Sequence, residues 1–66
     1  MKYWFIIYGS LPEEVGRKLW DRISLYKANL TILFDKAYVY GDADEPYMVE
    51  AISREILKLG YKVERG

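Results

Sequence analysis

The chain predicts an α+β fold, a four-stranded antiparallel sheet with two helices on one face. Three observations carry that expectation. β-Branched and aromatic residues cluster in runs at 2–8, 30–34, 37–41 and 61–65. Between them lie two stretches whose apolar residues recur at steps of three and four. The two kinds of segment alternate as βαββαβ.

The first strand, "KYWFIIY" (2–8), is an unbroken apolar and aromatic run closed by Gly9. Such a strand has both faces covered, or one face that is unusually adhesive. "SLPEE" then reads as a helix start: Ser10 and Glu13 have the spacing of a capping box, and Pro12 falls in the first turn. Val15, Leu19, Ile23 and Tyr26 form one stripe and predict a helix over 11–27, with Gly16 on its flank where the helix can approach the sheet. Glu13–Arg17 and Glu14–Lys18 are favourable pairs on its wet side.

"LTILF" and "AYVYG" are separated by Asp35 and Lys36, which predicts a hairpin. The two residues lack the Asn-Gly or Asp-Gly of an ideal short turn, so a longer turn stays open. In "DADEP", Asp42 or Asp44 caps a second helix, with Glu45 and Pro46 in its first turn. Met48, Val49, Ile52, Ile56 and Leu59 are its stripe, Glu50–Arg54 pairs on its surface, and Gly60 ends it in a left-handed cap. "YKVER" (61–65) is a short last strand with Tyr61 and Val63 on one face.

Right-handed crossovers turn this order into two split βαβ units with strand order 4-1-3-2. That arrangement is the ferredoxin-like sandwich. Residues 1–66 make a single domain, and the second face of its sheet is left open.

Which residues occupy the open face follows from the cost of burying polar atoms. Leu30, Ile32, Phe34, Ala37 and Val39 form a wholly apolar set suited to the helices. Burying Thr31, Tyr38 and Tyr40 instead would demand partners for three hydroxyls, so Tyr38 and Tyr40, with Leu33, face outward. On the first strand both alternating sets are apolar. A family resemblance, given below, favours Tyr3, Phe5 and Ile7 outward over Trp4, Ile6 and Tyr8. The expected interaction face is therefore Tyr3, Phe5, Ile7, Leu33, Tyr38 and Tyr40. A patch of that kind implies a partner.

Composition narrows the partner. The chain is 52% hydrophobic and 17% aromatic, which suits a packed globule. Domains this small usually need a disulfide, a metal or a second chain. Cys and His are both absent, so disulfides and the usual zinc or haem ligands are excluded. A partner chain or an exceptionally apolar core is left. Ten basic and ten acidic residues cancel, which weighs against binding driven by counterion release alone. No apolar run is long enough to span a bilayer, and "MKYWFIIYG" is followed by a helix start rather than a small-residue cleavage site, so a cytoplasmic location is expected. The absence of Gln, a single Asn and an abundance of Glu, Lys, Arg, Ile and Tyr give the chain a hyperthermophile-like bias.

"KAYVYGDA" resembles the third-strand motif of the RNA-recognition motif family, a basic residue followed by aromatics two apart: Lys36, Tyr38 and Tyr40 match it. Ala37, Val39 and Gly41 depart from it, and the last aromatic is missing. "IIYGSL" (6–11) is similar to the family's first-strand motif, with Ile7 at the position of the stacking aromatic, and "DEPYMVEAI" to the start of its second helix. The resemblance implies that Tyr38 and Tyr40 stack on single-stranded bases, that Phe5 supplies the missing ring, and that Lys36 and Lys62 approach phosphates, blunted by Asp35 and Glu64.

Other chemistries fit poorly. An EF-hand register from Asp42 puts Pro46, Tyr47 and Ser53 at ligand or glycine positions, so helix capping explains these acids better. "YGSLPEEVGR" lacks the glycine spacing and Lys-Ser/Thr ending of a phosphate loop. Arg17 and Asn29 have neither the motif nor the context of acylphosphatases, which share the topology. Ser10, Ser24 and Ser53 have no activating base. Trp20, Leu25 and Leu57 fall off their stripes and read as exposed hydrophobes. The expectation is a non-catalytic interaction module without metal or cofactor. Its open face would serve a homodimer or another protein, and single-stranded nucleic acid is the alternative.

Overall fold

In the computed structural model, which describes Met1–Gly66, β1 (Lys2–Tyr8) lies inside a four-stranded antiparallel sheet. The chain continues through α1 (Glu13–Ile23), a 3-10 turn (Ser24–Tyr26), β2 (Asn29–Ile32), β3 (Lys36–Asp42), α2 (Pro46–Leu57) and β4 (Lys62–Arg65). The sheet order is β2-β3-β1-β4, which counted from the other edge is β4-β1-β3-β2. No helix is long and apolar enough to cross a membrane.

Both helices end sooner than their apolar stripes. Pro12 holds the α1 N-cap in an extended conformation (φ −59°, ψ 149°), and no side chain caps it. The expected Ser10–Glu13 box is absent because the serine lies two residues before the N-cap, out of reach of the first-turn amides. Glu13 and Glu14 still favour this end of the helix dipole. At the other end the helix tightens into the 3-10 turn and stops at Lys27, whose φ is +61°. For α2, Pro46 follows an N-cap at Glu45 that also lacks a side-chain cap. Asp42 does not cap it; as the last residue of β3, it pairs with the N-terminal ammonium at 2.9 Å. Gly60, at φ +81°, makes the left-handed reversal into β4.

The core lies between the helices and one face of the sheet. Phe5, Ile7, Ala37 and Val39 meet Leu19 and Ile23 from α1 and Val49, Ile52 and Ile56 from α2. Burying side chains of this kind contributes about 1.5–3 kcal/mol each. Glu13–Arg17 and Glu14–Lys18 pair along α1 at 3.0 and 3.5 Å. Glu50 does not take Arg54; it accepts from Arg65 at 2.9 Å and ties α2 to β4.

The expected outward orientation of Tyr3, Phe5 and Ile7 is overturned. Phe5 and Ile7 are 0% exposed and Tyr3 6%, all beneath the helices. The β1–β3 register explains it: Phe5 lies opposite Val39, Ile7 opposite Ala37 and Tyr3 opposite Gly41. Directly opposed residues share a face, and β3 contributes only small groups there, so β1 must supply the bulk. The alternative would bury the Trp4 indole N–H and the Tyr8 hydroxyl. The observed choice orphans one polar atom, the Tyr3 hydroxyl, which has no hydrogen-bond partner.

The hairpin differs by one residue from its expected position. Leu30 opposes Val39, Thr31 opposes Tyr38, and Ile32 opposes Ala37. The Leu33 N–H donates to the Lys36 carbonyl at 2.8 Å, leaving Phe34 and Asp35 as the loop. The displacement changes every partner yet keeps every face, because side chains alternate with a period of two. Phe34, expected in the core, is instead 94% exposed at the tip. The Gly9 N–H donates to the Asp35 carbonyl at 2.9 Å and holds this turn against the end of β1.

Candidate functional site

The side of the sheet without helices is a ring-bearing surface. Its central strands present Trp4, Ile6 and Tyr8 from β1, and Lys36, Tyr38 and Tyr40 from β3. Backbone bonds joining Gly9 to Asp35 and Ala43 to Met1 place the hydrogen-bonded pairs at odd-numbered β1 positions. The outward pairs Trp4–Tyr40, Ile6–Tyr38 and Tyr8–Lys36 are therefore the closer, non-hydrogen-bonded kind. Trp4 and Tyr40 remain 42% and 43% exposed, while Ile6 and Tyr38 at the centre are half-buried by their neighbours.

Polar contacts hold several rings in place. The Tyr8 hydroxyl donates to Glu64 Oε2 at 2.9 Å. That bond, reinforced by partial burial and the carboxylate charge, pushes the Tyr8 phenol above its ordinary pKa. Thr31 Oγ1 lies 3.3 Å from the Tyr40 hydroxyl, reaching diagonally across β2 and β3. Lys36 Nζ sits 5.9 Å from the centre of the Tyr38 ring, within cation–π range.

The charges on this face are unevenly engaged. Lys36 and Lys62 oppose Tyr8 from either side, on β3 and β4, and neither forms an ion pair. Lys2, at the far end of β1, forms none either. Glu64 is occupied by Tyr8, and Asp42 by the N-terminal ammonium. At the Lys2 end of the sheet, a depression of about 600 Å³ is lined by Tyr3, Trp4, Tyr40, Gly41, Asp42 and Gly66 as well as Lys2. Any side chain at Gly66 would overlap the Trp4 indole, so the two pack directly.

Of the residues singled out in the sequence, Leu33, Lys36, Tyr38, Tyr40 and Lys62 lie on this face. Tyr3, Phe5 and Ile7 do not; Trp4, Ile6 and Tyr8 stand in their place. A count of polar atoms on β1, like the one that orients β3, identifies that set.

No group of three or more Cys, His, Asp or Glu side chains converges anywhere in the chain. Ser24 spends its hydroxyl on the Asp21 carbonyl at 3.3 Å. Comparison with family models, curated proteins and solved structures finds no match. The chemistry of the open face is the remaining guide to function.

Proposed function

We infer that this protein is a non-catalytic binding module whose open sheet face takes single-stranded nucleic acid. The observation that carries the reading is the unpaired state of Lys2, Lys36 and Lys62 among exposed rings, on a face whose two acids, Asp42 and Glu64, are already engaged. Flat rings stack on bases of any sequence, and free lysines reach the phosphates between them. Trp4, Tyr8, Tyr38 and Tyr40 are the stacking residues in this reading, Lys36 and Lys62 the phosphate contacts at one end, and Lys2 the contact beside the depression.

The strand order and one-sided helix layer support calling the fold ferredoxin-like. The likeness to the RNA-recognition motif is supported on β3, where Lys36, Tyr38 and Tyr40 all point outward. It weakens on β1, where Ile7 occupies the family's stacking position and is buried. Face-to-face self-association, the other use of such a surface, is less favoured. It would bring six lysines from two copies into one seam whose carboxylates are already hydrogen-bonded or paired, and desolvating an unpaired cation is costly.

Fluorescence anisotropy with short single-stranded oligonucleotides tests the reading. With three phosphate contacts, the log–log salt slope should be about −2, a loss of about 20-fold between 50 and 200 mM salt. Replacing Tyr38 and Tyr40 together by Ala should cost about 1–3 kcal/mol per base they stack on. Absence of oligonucleotide binding, together with a dimer that the same double variant dissociates, would assign the face to self-association instead.

A further inference from the structure

The two edges of the sheet are built very differently. β4 carries Lys62, Glu64 and Arg65 and is tied to α2 by the Arg65–Glu50 ion pair. Charges of this kind are the usual protection of an edge strand against pairing with another chain. β2, Asn29-Leu30-Thr31-Ile32, has no charge and no proline. Its last residue, Ile32, and the following Leu33 are apolar and each 44% exposed, and Phe34 follows at the tip.

The helix above this edge continues the apolar surface. At about 100° per residue, α1 turns Lys18 and Arg22 to one side and Gly16 and Trp20 to the other. The Arg22–Glu55 ion pair marks the first side as the one facing α2. A Cβ built on Gly16 would lie 2.6 Å from Ile32 Cδ1, which marks the second side as lying over β2. Trp20, 44% exposed, therefore stands beside the β2 edge. The only charges on that side of α1, Glu13 and Arg17, neutralise each other at 3.0 Å.

We propose that the β2 edge pairs antiparallel with the β2 edge of a second copy, joining two sheets into one of eight strands. The bond joining Leu33 to Lys36 sets the hairpin's hydrogen-bonded positions at 29, 31 and 33, so the N–H and C=O groups of Leu30 and Ile32 point away from β3. These groups match themselves about a twofold axis through Thr31. Leu30 faces Ile32 of the second copy, and Ile32 faces its Leu30, each pair exchanging two backbone bonds. Beyond the paired strands, Lys27 at the end of the 3-10 turn and Asp35 in the hairpin loop then lie at the same end of the seam, one from each copy. Neither residue forms an ion pair within the single chain. The free backbone groups select this register, which pairs both Leu30 and Ile32 of each copy; the opposite charges of Lys27 and Asp35 suit its ends, and the zero net charge sets up no repulsion between copies. The two Trp20 side chains flank the axis above the joined strands. This pairing does not depend on what binds the open face.

Light scattering and amide exchange on the full chain test the proposal. The protein should form a dimer at micromolar concentration, and the Leu30 and Ile32 amides should gain protection as concentration rises. Trp20→Lys should keep a native circular dichroism spectrum and weaken dimerisation by about thirtyfold, the loss expected for a central aromatic anchor. Lys27→Asp should weaken it too, and adding Asp35→Lys should restore it. A monomer at all concentrations would overturn the proposal. So would a dimer in which those two amides exchange freely, or one that Tyr40→Ala dissociates while Trp20→Lys does not.

Discussion

Tyr3 is the inward-facing residue that sits least comfortably. Its ring packs at 6.0 Å from Phe5 and its hydroxyl finds no partner, so burial pushes the phenol above its ordinary pKa. Gly41 makes room for it, since a Cβ there would lie 2.7 Å from the hydroxyl oxygen and 3.1 Å from Cζ. Tyr3→Phe should therefore leave the fold unharmed or stabilise it by about 1 kcal/mol in a denaturant titration. Gly41→Ala should cost about 1–3 kcal/mol, as overpacking usually does. In the Tyr3→Phe background that cost should shrink, because the nearest clash is with the deleted oxygen; a double-mutant cycle measures the difference. The orientation of β3 was legible because one of its faces carries no hydroxyl. That of β1 is harder to read: both faces are aromatic, and the family likeness alone points to the wrong set, whereas burying one hydroxyl rather than an indole N–H and a phenol points to the observed one.

Among the elements, the strands and helices follow their apolar periods, while their ends answer to neighbours that periodicity does not show. Capping residues in "SLPEE" and "DADEP" have suitable chemistry, yet Pro12 and Pro46 set the helix starts without them. The hairpin loop lies one residue earlier than the apolar runs suggest, at Phe34–Asp35, where the Gly9 N–H also reaches the Asp35 carbonyl. α1 and α2 are joined at the surface by Glu55, which accepts from Lys58 and Arg22 at 3.1 Å each. Those two hydrogen bonds hold its carboxyl below the usual glutamate range. A carboxyl whose pKa is depressed by folding stabilises the native state above its unfolded pKa, about 4.3, and loses that contribution as pH falls through the lower folded value. The thermal midpoint of the native chain should thus exceed that of Glu55→Gln at neutral pH, and the gap should close in acid. Equal gaps at both pH values would remove the linkage.

For the molecule as a whole, the two proposed surfaces are geometrically compatible. Joining β2 edges leaves the ring-bearing faces of both copies on the same side of one sheet, so the stacking rings would double in number without being covered. Dimer-disrupting Trp20→Lys should accordingly retain the affinity of each domain for an oligonucleotide short enough to fill one face, and lose affinity for one spanning two. Anisotropy with the two lengths checks this. The placement of β1 has a further bearing, on how the chain reaches its native state. β1, inside the sheet, precedes both its mates in the chain, since its flanking strands start only at Lys36 and Lys62. Until they emerge, the run Tyr3–Tyr8 has no hydrogen-bonding mate, and its adhesive side chains are open to neighbouring nascent chains. Burial of that segment must wait for sequence-distant closure, so refolding yield should fall with concentration more steeply than native solubility would suggest.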